Sequence, residues 1–254
     1  MGEGTGNGPS VEPSDFVSPS GRRIARRPGP PRLAQPARPS ASSIIESELR
    51  QAIIAMRLKP GEPLNEKEIT AQFGLSRTPV REAMLRLKDD ELIEIFPQSG
   101  TFVARIPMAK IPEAVIIRQA LEAMAAEQAA QRRDPRALEI LHAIIRDQQE
   151  AAAAGDLGRF HEVDEAFHAA ISDAAGYPGI WRLAQTVKAQ VDRCRRLTLP
   201  VPGRMARVIQ EHQRVLAAME AGDAAGARQA LAEHLVAVLP DLEELRRTYP
   251  DYFV

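Results

Sequence analysis

The sequence predicts a mainly α protein in two folded parts: a small N-terminal unit of helices closed by a β-hairpin, and a C-terminal antiparallel bundle of six helices. Three observations carry that reading. From Pro107 onward apolar residues recur at helical spacing in six stretches, each closed by a Pro, Gly or Asp break. Aromatic residues make up only 4% of the chain while alanine is abundant, a composition that favours helices over sheets. Between Leu64 and Val103 two short helical stretches precede two short strands.

Taken in order, residues 1–40 hold 6 Gly and 8 Pro with almost no periodic apolar residues, so they cannot offset their ordering entropy and are expected to stay disordered. Arg22, Arg23, Arg26, Arg27, Arg32 and Arg38 read first as a solvated tail and second as an arm for DNA phosphate. The folded part from 41 to 106 opens on a helix over Ser42–Arg57, with Ile45, Leu49, Ala52, Ile53 and Met56 on one face. Leu58-Lys59-Pro60-Gly61 breaks it. Asn65 then N-caps a second helix, and Glu68 three residues on completes a capping box. Ile69 and Phe73 give that helix its inward face, and Gly74 ends it.

Ser76 is placed to cap the third helix, and Pro79 sits in its first turn, where a missing N–H costs nothing. Val80, Ala83, Met84 and Leu87 form a buried stripe, while Arg77, Thr78, Arg81 and Arg86 occupy the other side. Two helices split by so short a turn, the second with a basic outer face, match a helix-turn-helix whose second helix enters the major groove. Leu92–Phe96 reads as a strand, Pro97-Gln98-Ser99-Gly100 as the turn, and Thr101–Arg105 as the return strand.

The remaining part, 107–254, reads as helices over Ile111–Arg133, Pro135–Ala153, Leu157–Ala175, Pro178–Leu199, Arg204–Ala221 and Asp223–Arg247, joined by loops short enough to make neighbours antiparallel. Five histidines occur in the chain: His142, His161, His168, His212 and His234. Asp164 and His168, four apart, emerge on one helix face. His212 and His234 lie mid-way along the last two helices, among Val215, Leu216 and Met219 and among Leu231, Leu235 and Val238. Imidazoles and a carboxylate turned into a core are costly unless paired, and a divalent ion offsets that cost. An Asp-plus-three-His set suits Zn²⁺, with Ni²⁺ or Mn²⁺ as further candidates. Against this stands the commoner case, a histidine satisfied within the core.

Whole-chain properties narrow the function classes. The net charge is −1, so any contact with DNA must come from a local patch. The lone Cys194 excludes an internal disulfide and fits a reducing cytosol. No run approaches the ~18 apolar residues of a membrane span, and no signal-peptide core opens the chain, so a cytoplasmic protein without membrane contact is expected.

PLNEKEITAQFGLSRTPVREAMLRL, followed by DELIE and SGTFV, resembles the winged helix-turn-helix of GntR-family bacterial transcription regulators over roughly Ser42–Ile106. The resemblance implies that Lys67, Arg77, Thr78 and Arg81, with Gln98, Ser99, Gly100 and Thr101 of the wing, face DNA. Pro97-Gln98-Ser99 lacks the basic wing tip of many relatives. The D-x₃-H pair with E-H and E-H-L on the last two helices resembles the metal-binding FCD domain of the FadR-type branch. That likeness names Asp164, His168, His212 and His234 as the ligand set and leaves His142 and His161 structural or exposed. Ile117-Arg118-Gln119-Ala120-Leu121-Glu122 resembles the family's R-x-x-L-E segment, whose arginine faces the cavity. Arg118 would then bind a small carboxylate effector, the competing reading being a surface pair with Glu122. The run Arg193, Arg195, Arg196 reads as a solvated face.

The expected protein is a homodimeric, ligand-responsive regulator of a palindromic operator. The alternative is a metal-dependent hydrolase or lyase with a fused DNA-binding domain, for which Glu165, Glu211 or Glu233 would be the acid or base. Helix phase turns each about 100° from its neighbouring ligand.

Overall fold

Local chemistry sets the helix ends in the computed structural model, which describes residues 40–237, 239 and 242–254. The disorder expected for the N-terminal tail falls on residues outside that range. Ser40 accepts a hydrogen bond from the Ser43 amide and starts α1 (Ala41–Ile54). The helix stops short of the expected Arg57, with Met56 in the left-handed region at φ +59°. Asn65 accepts from the Lys67 amide and starts α2 (Glu66–Phe73). Its side-chain amide donates to Glu68 over 2.9 Å, but the two backbone bonds of the expected capping box are not made, since Asn65 Oδ1 takes the Lys67 amide instead of that of Glu68. Gly74 ends α2 at φ +62°, a conformation that glycine adopts without penalty.

α3 (Arg77–Asp89) begins after Ser76, whose hydroxyl makes no cap bond. The sequence expectation of a Ser76 cap overlooked that the third helical position, normally the donor to such a cap, is Pro79 and has no N–H.

β2 (Ile93–Phe96) and β3 (Gly100–Val103) pair antiparallel from Ile93↔Val103 to Phe96↔Gly100. β1 (Pro63–Leu64) adds a third strand on the far side of β3. Two residues show no alternation, so this strand was invisible in the sequence. Ile45, Ile53, Val80, Leu87, Leu92 and Ile93 close the core beneath.

The bundle follows the expected order with three differences. The predicted helix 111–133 is α4 (Lys110–Arg118) and α5 (Met124–Arg132) joined by a wide π-helical turn over Gln119–Ala123. α6 (Pro135–Ala154) and α7 (Leu157–Ala174) are as read. The predicted helix 178–199 divides into α8 (Gly179–Val187) and α9 (Ala189–Thr198). Its break sits at Lys188, whose ammonium is buried against Glu165 and Asp192. α10 (Arg204–Ala221) is as read, but the last predicted helix divides into α11 (Ala224–Val236) and α12 (Leu242–Thr248). The expected span runs across the proline at position 240 of the sequence, a residue type that disfavours a helix interior. A short 3₁₀ turn, Pro250–Tyr252, follows.

The link between the two parts is tied down from both sides. Ile106 bridges Phe253 in parallel, and Met108 donates to the Val254 carbonyl over 3.0 Å. From α9, Arg193 donates to the Ala104 carbonyl (2.7 Å) and Gln190 to that of Glu91 (3.2 Å). Among the described residues no helix is long and apolar enough to cross a membrane.

Candidate metal centre and nucleic-acid interface

α7, α10 and α11 bring Asp164, His168, His212 and His234 together, all four buried. α7 can present both its members because they are one turn apart, with Phe167 between them stacked on the His212 ring (centroids 3.9 Å, 12°). The Nε2 atoms of His212 and His234 are 3.3 Å apart, as are those of His234 and His168. Asp164 Oδ2 lies 3.9 Å from His168 Nε2, and Oδ1 3.7 Å from His212 Nε2.

Each outer ring nitrogen has an acceptor oxygen within 2.8 Å. His168 Nδ1 lies 2.7 Å from Glu122, His234 Nδ1 2.8 Å from Glu211, and His212 Nδ1 2.8 Å from Gln148 Oε1. A carboxylate only accepts, so His234 carries its proton on Nδ1; the charge of Glu122 favours the same tautomer at His168, although that contact is not aligned as a hydrogen bond, and bare Nε2 lone pairs then face each other. Lone pairs 3.3 Å apart repel unless a cation lies between them. A tetrahedral ion with metal–nitrogen bonds of about 2.0–2.1 Å separates its ligands by roughly 3.3–3.4 Å, the spacing found here. Asp164 Oδ2 has no hydrogen-bond partner although fully buried, a further donor that a cation would satisfy. The residues therefore fit a divalent ion.

Electrostatics favour the ligating protonation states. Burial, reinforced by His234, holds His212 well below the ordinary histidine value. Burial also brings His234 down to about 4 against the pull of Glu211. Burial alone would raise Asp164, but the guanidinium of Arg195 beside it holds it well below the usual carboxylate range. In metal-free protein these histidines stay neutral when folded and take protons near 6.5 when unfolded. Their contribution is thus flat above about pH 7 and is lost as pH falls from about 6.5 toward 4, on the order of 3 kcal/mol for His234 alone. Urea denaturation of chelator-treated protein is expected to show this fall; unchanged stability between pH 7 and 5 would contradict a neutral buried set.

Several site residues were misread in the sequence. Arg193 and Arg195 are buried rather than solvated, and Arg196 is only half-exposed. Arg195 donates to Asp164 Oδ1 over 2.5 Å. The run looks solvated because three arginines within four residues suggest a polar face, yet α9 is enclosed on most sides. Glu211, set aside because its phase turns it from His212, reaches His234 on the neighbouring helix instead. Arg118 does pair with Glu122, Nε to Oε1 at 2.6 Å, but both are buried, at 2% and 1% exposed. Arg118 also lines a narrow cleft with Val191, Arg195, Arg204, His234 and Leu235.

His142 is exposed and meets Glu220, whereas His161 is buried in a second group with Glu165 and Asp192. Lys188 already sits against both those carboxylates, where a cation would otherwise be needed.

On the N-terminal unit Lys67, Arg77, Thr78, Arg81, Gln98, Ser99 and Gly100 are exposed and Thr101 is half-buried. Arg81, 63% exposed, is held by Glu66 of α2 through Nε at 3.0–3.1 Å. Arg86 is drawn instead to Glu46 of α1. Gln98 takes φ +67° in the wing turn, and Phe96 packs edge-on against Phe102 across the hairpin.

Comparison with known proteins agrees with this architecture. Residues 41–103 match the family of bacterial regulatory proteins called gntR, and residues 113–237 match the FCD domain. The chain belongs to the GntR family and is a transcriptional regulator with an FCD effector-binding domain. A Streptomyces ambofaciens regulator, an uncharacterised HTH-type protein from an unstable DNA locus, is 33% identical and covers 82% of this chain and 88% of its own. The repressor RspR of Escherichia coli K12 is 31% identical, covering 81% and 90%. The solved structure of E. coli McbR/YncC superposes with a TM-score of 0.69 at 27% identity, over 84% of this chain and all of that one. These relatives are regulators, which does not favour the hydrolase or lyase alternative.

Proposed function

We propose that the protein is a homodimeric repressor whose grip on a palindromic operator responds to a small carboxylate held at a metal centre. Residues 41–106 would bind DNA, and 107–254 would sense the acid and pair the subunits. The observation that carries the sensing half is the convergence of three imidazole Nε2 atoms and a partnerless carboxylate oxygen inside the bundle. Asp164, His168, His212 and His234 would hold a zinc-class ion, with Glu122, Gln148 and Glu211 fixing the rings. When bound, the ion offers an electrophilic position for an oxygen of the acid, and Arg118 beside it binds carboxylate through its planar fork. Repression is taken by analogy with the E. coli relative. Two copies are needed because one recognition helix reads too few base pairs to be selective.

α9 supports a route for the signal. Its Arg195 reaches the candidate centre while its Arg193 and Gln190 grip the backbone of the DNA-binding part. A shift of this helix would be felt at Ala104 and Glu91, and so in how the two recognition helices are spaced.

The DNA half is tested through Arg81, on α3 with Arg77 and Thr78. Arg81→Ala is expected to weaken operator binding by ~1–3 kcal/mol and relax selectivity at one position per half-site. Binding titrations on an operator variant series measure both. An unchanged affinity would remove α3 from the base-reading role.

A further inference from the structure

We propose that a second copy of the chain covers the outer side of α4 and α5, with the two-fold axis at Ala120. The inference rests on the two-copy reading above and assigns it a surface. The segment is apolar on both sides. Its inner side is sealed in the core through Ile111, Val115, Ala125 and Ala129. On the outer side Ile116 is 64% exposed and Met124 46%, and Ala120 midway between them is exposed as well. A helix that is apolar all round is normally buried, so the outer side calls for a cover that the described residues of one chain do not supply.

The wide turn over Gln119–Ala123 has a part in this. Residues four apart on a straight α-helix drift by about 40° around its axis. A turn of the i→i+5 kind rotates less per residue and offsets that drift, which keeps Ile116, Ala120 and Met124 close to one row. α8 packs alongside α4 and the turn and leaves Leu183 exposed too.

The occupant is a second copy rather than a different protein because the row is its own complement. A two-fold contact sets residue i against residue j and j against i. Ile116 and Met124 lie equally far from Ala120 along the chain, so in antiparallel pairing each Ile116 meets the partner's Met124. The small side chain at the axis lets the two helices approach closely. An axis of this kind also sets every charge on it against its own copy. From Ala114 to Ala126 the exposed and half-buried residues are all uncharged, and the charged pair within that stretch, Arg118 and Glu122, is buried. A foreign partner demands no such symmetry.

The test is sedimentation velocity on the full-length protein over a range of concentrations, where wild type is expected to be a dimer. Ile116→Glu and Met124→Lys should each raise the dimer dissociation constant by on the order of a hundredfold, since each buries an unpaired charge twice per dimer. The double variant should recover much of that loss by pairing the two charges across the axis. Within one chain the two positions lie about 12 Å apart, too far to pair, so recovery also shows that the single variants fail in pairing and not in folding. Ala120→Cys should form a disulfide between subunits on oxidation with diamide, because helices touching at this residue bring the two Cα atoms within the roughly 4.4–6.8 Å that a disulfide spans. Glu139→Cys, exposed on α6, should not, and neither should wild type, whose Cys194 is buried.

A dimer that neither single substitution weakens, with no disulfide in Ala120→Cys, would overturn this surface and leave the two-copy reading intact. A double variant no tighter than the single ones would overturn the pairing of Ile116 with Met124 about the axis. A wild type that stays monomeric at micromolar concentration would bring down the two-copy reading itself, and this inference with it.

Discussion

Zinc added back to chelator-stripped protein is expected to raise the melting temperature by roughly 5–10 °C. Binding to the folded state alone stabilises it by about 2.7 kcal/mol at a hundredfold excess over the dissociation constant. In a chain of this size each kcal/mol moves the midpoint by roughly 2–4 °C. The effect is large because the four ligands come from three helices: α7, α10 and α11 are tied together at Asp164, His168, His212 and His234. His212→Ala should abolish most of the response. His142→Ala should not, since that side chain is exposed and meets Glu220, away from the four ligands. His161→Ala should also leave the response intact, because His161 faces the Lys188 group rather than the convergent nitrogens. A zinc response of equal size in His212→Ala would move the site elsewhere.

Arg193→Met is expected to leave the fold nearly as stable while uncoupling operator affinity from the acid. Arg193 is fully buried, and among the described residues its hydrogen-bond partners are neutral, the Ala104 carbonyl and Gln190. Burial pulls its guanidinium down to about 10, a sign that charge is uncomfortable there. An apolar side chain of similar length removes that cost as well as the bond to Ala104, so the net stability change should be small. What is lost is the grip of α9 on the segment that leads into the DNA-binding part. Coupling between sites is typically 1–3 kcal/mol, so wild type should change operator affinity by roughly 5- to 150-fold on adding acid and the variant by little. Operator titrations with and without succinate measure this directly. A full response in Arg193→Met would show that the signal travels by another path.

The N-terminal unit was readable because its signals are local. Asn65, Gly74 and the Val80–Leu87 stripe act within a few residues of themselves, and each sits where its spacing implies. The four candidate ligands were also readable, since Asp164 and His168 share a turn and His212 and His234 interrupt apolar stretches. The residues that orient them were not. Glu122, Gln148 and Glu211 each act on a ring from a different helix, so nothing in their own neighbourhood announces the role. Arg195 was hidden by a run whose charge suggests solvent, because burial of α9 depends on packing far away in sequence. The pairing of Ile106 with Phe253 was equally hidden, the last residue of the N-terminal part meeting one 147 positions further on over one bridge.

Metal content per chain tests the central claim most directly. Purified wild-type protein dialysed against zinc, then against metal-free buffer, is expected to retain one ion per chain by elemental analysis. His212→Ala and His234→Ala should retain well below half of that. One ion per chain in both variants would contradict the metal centre.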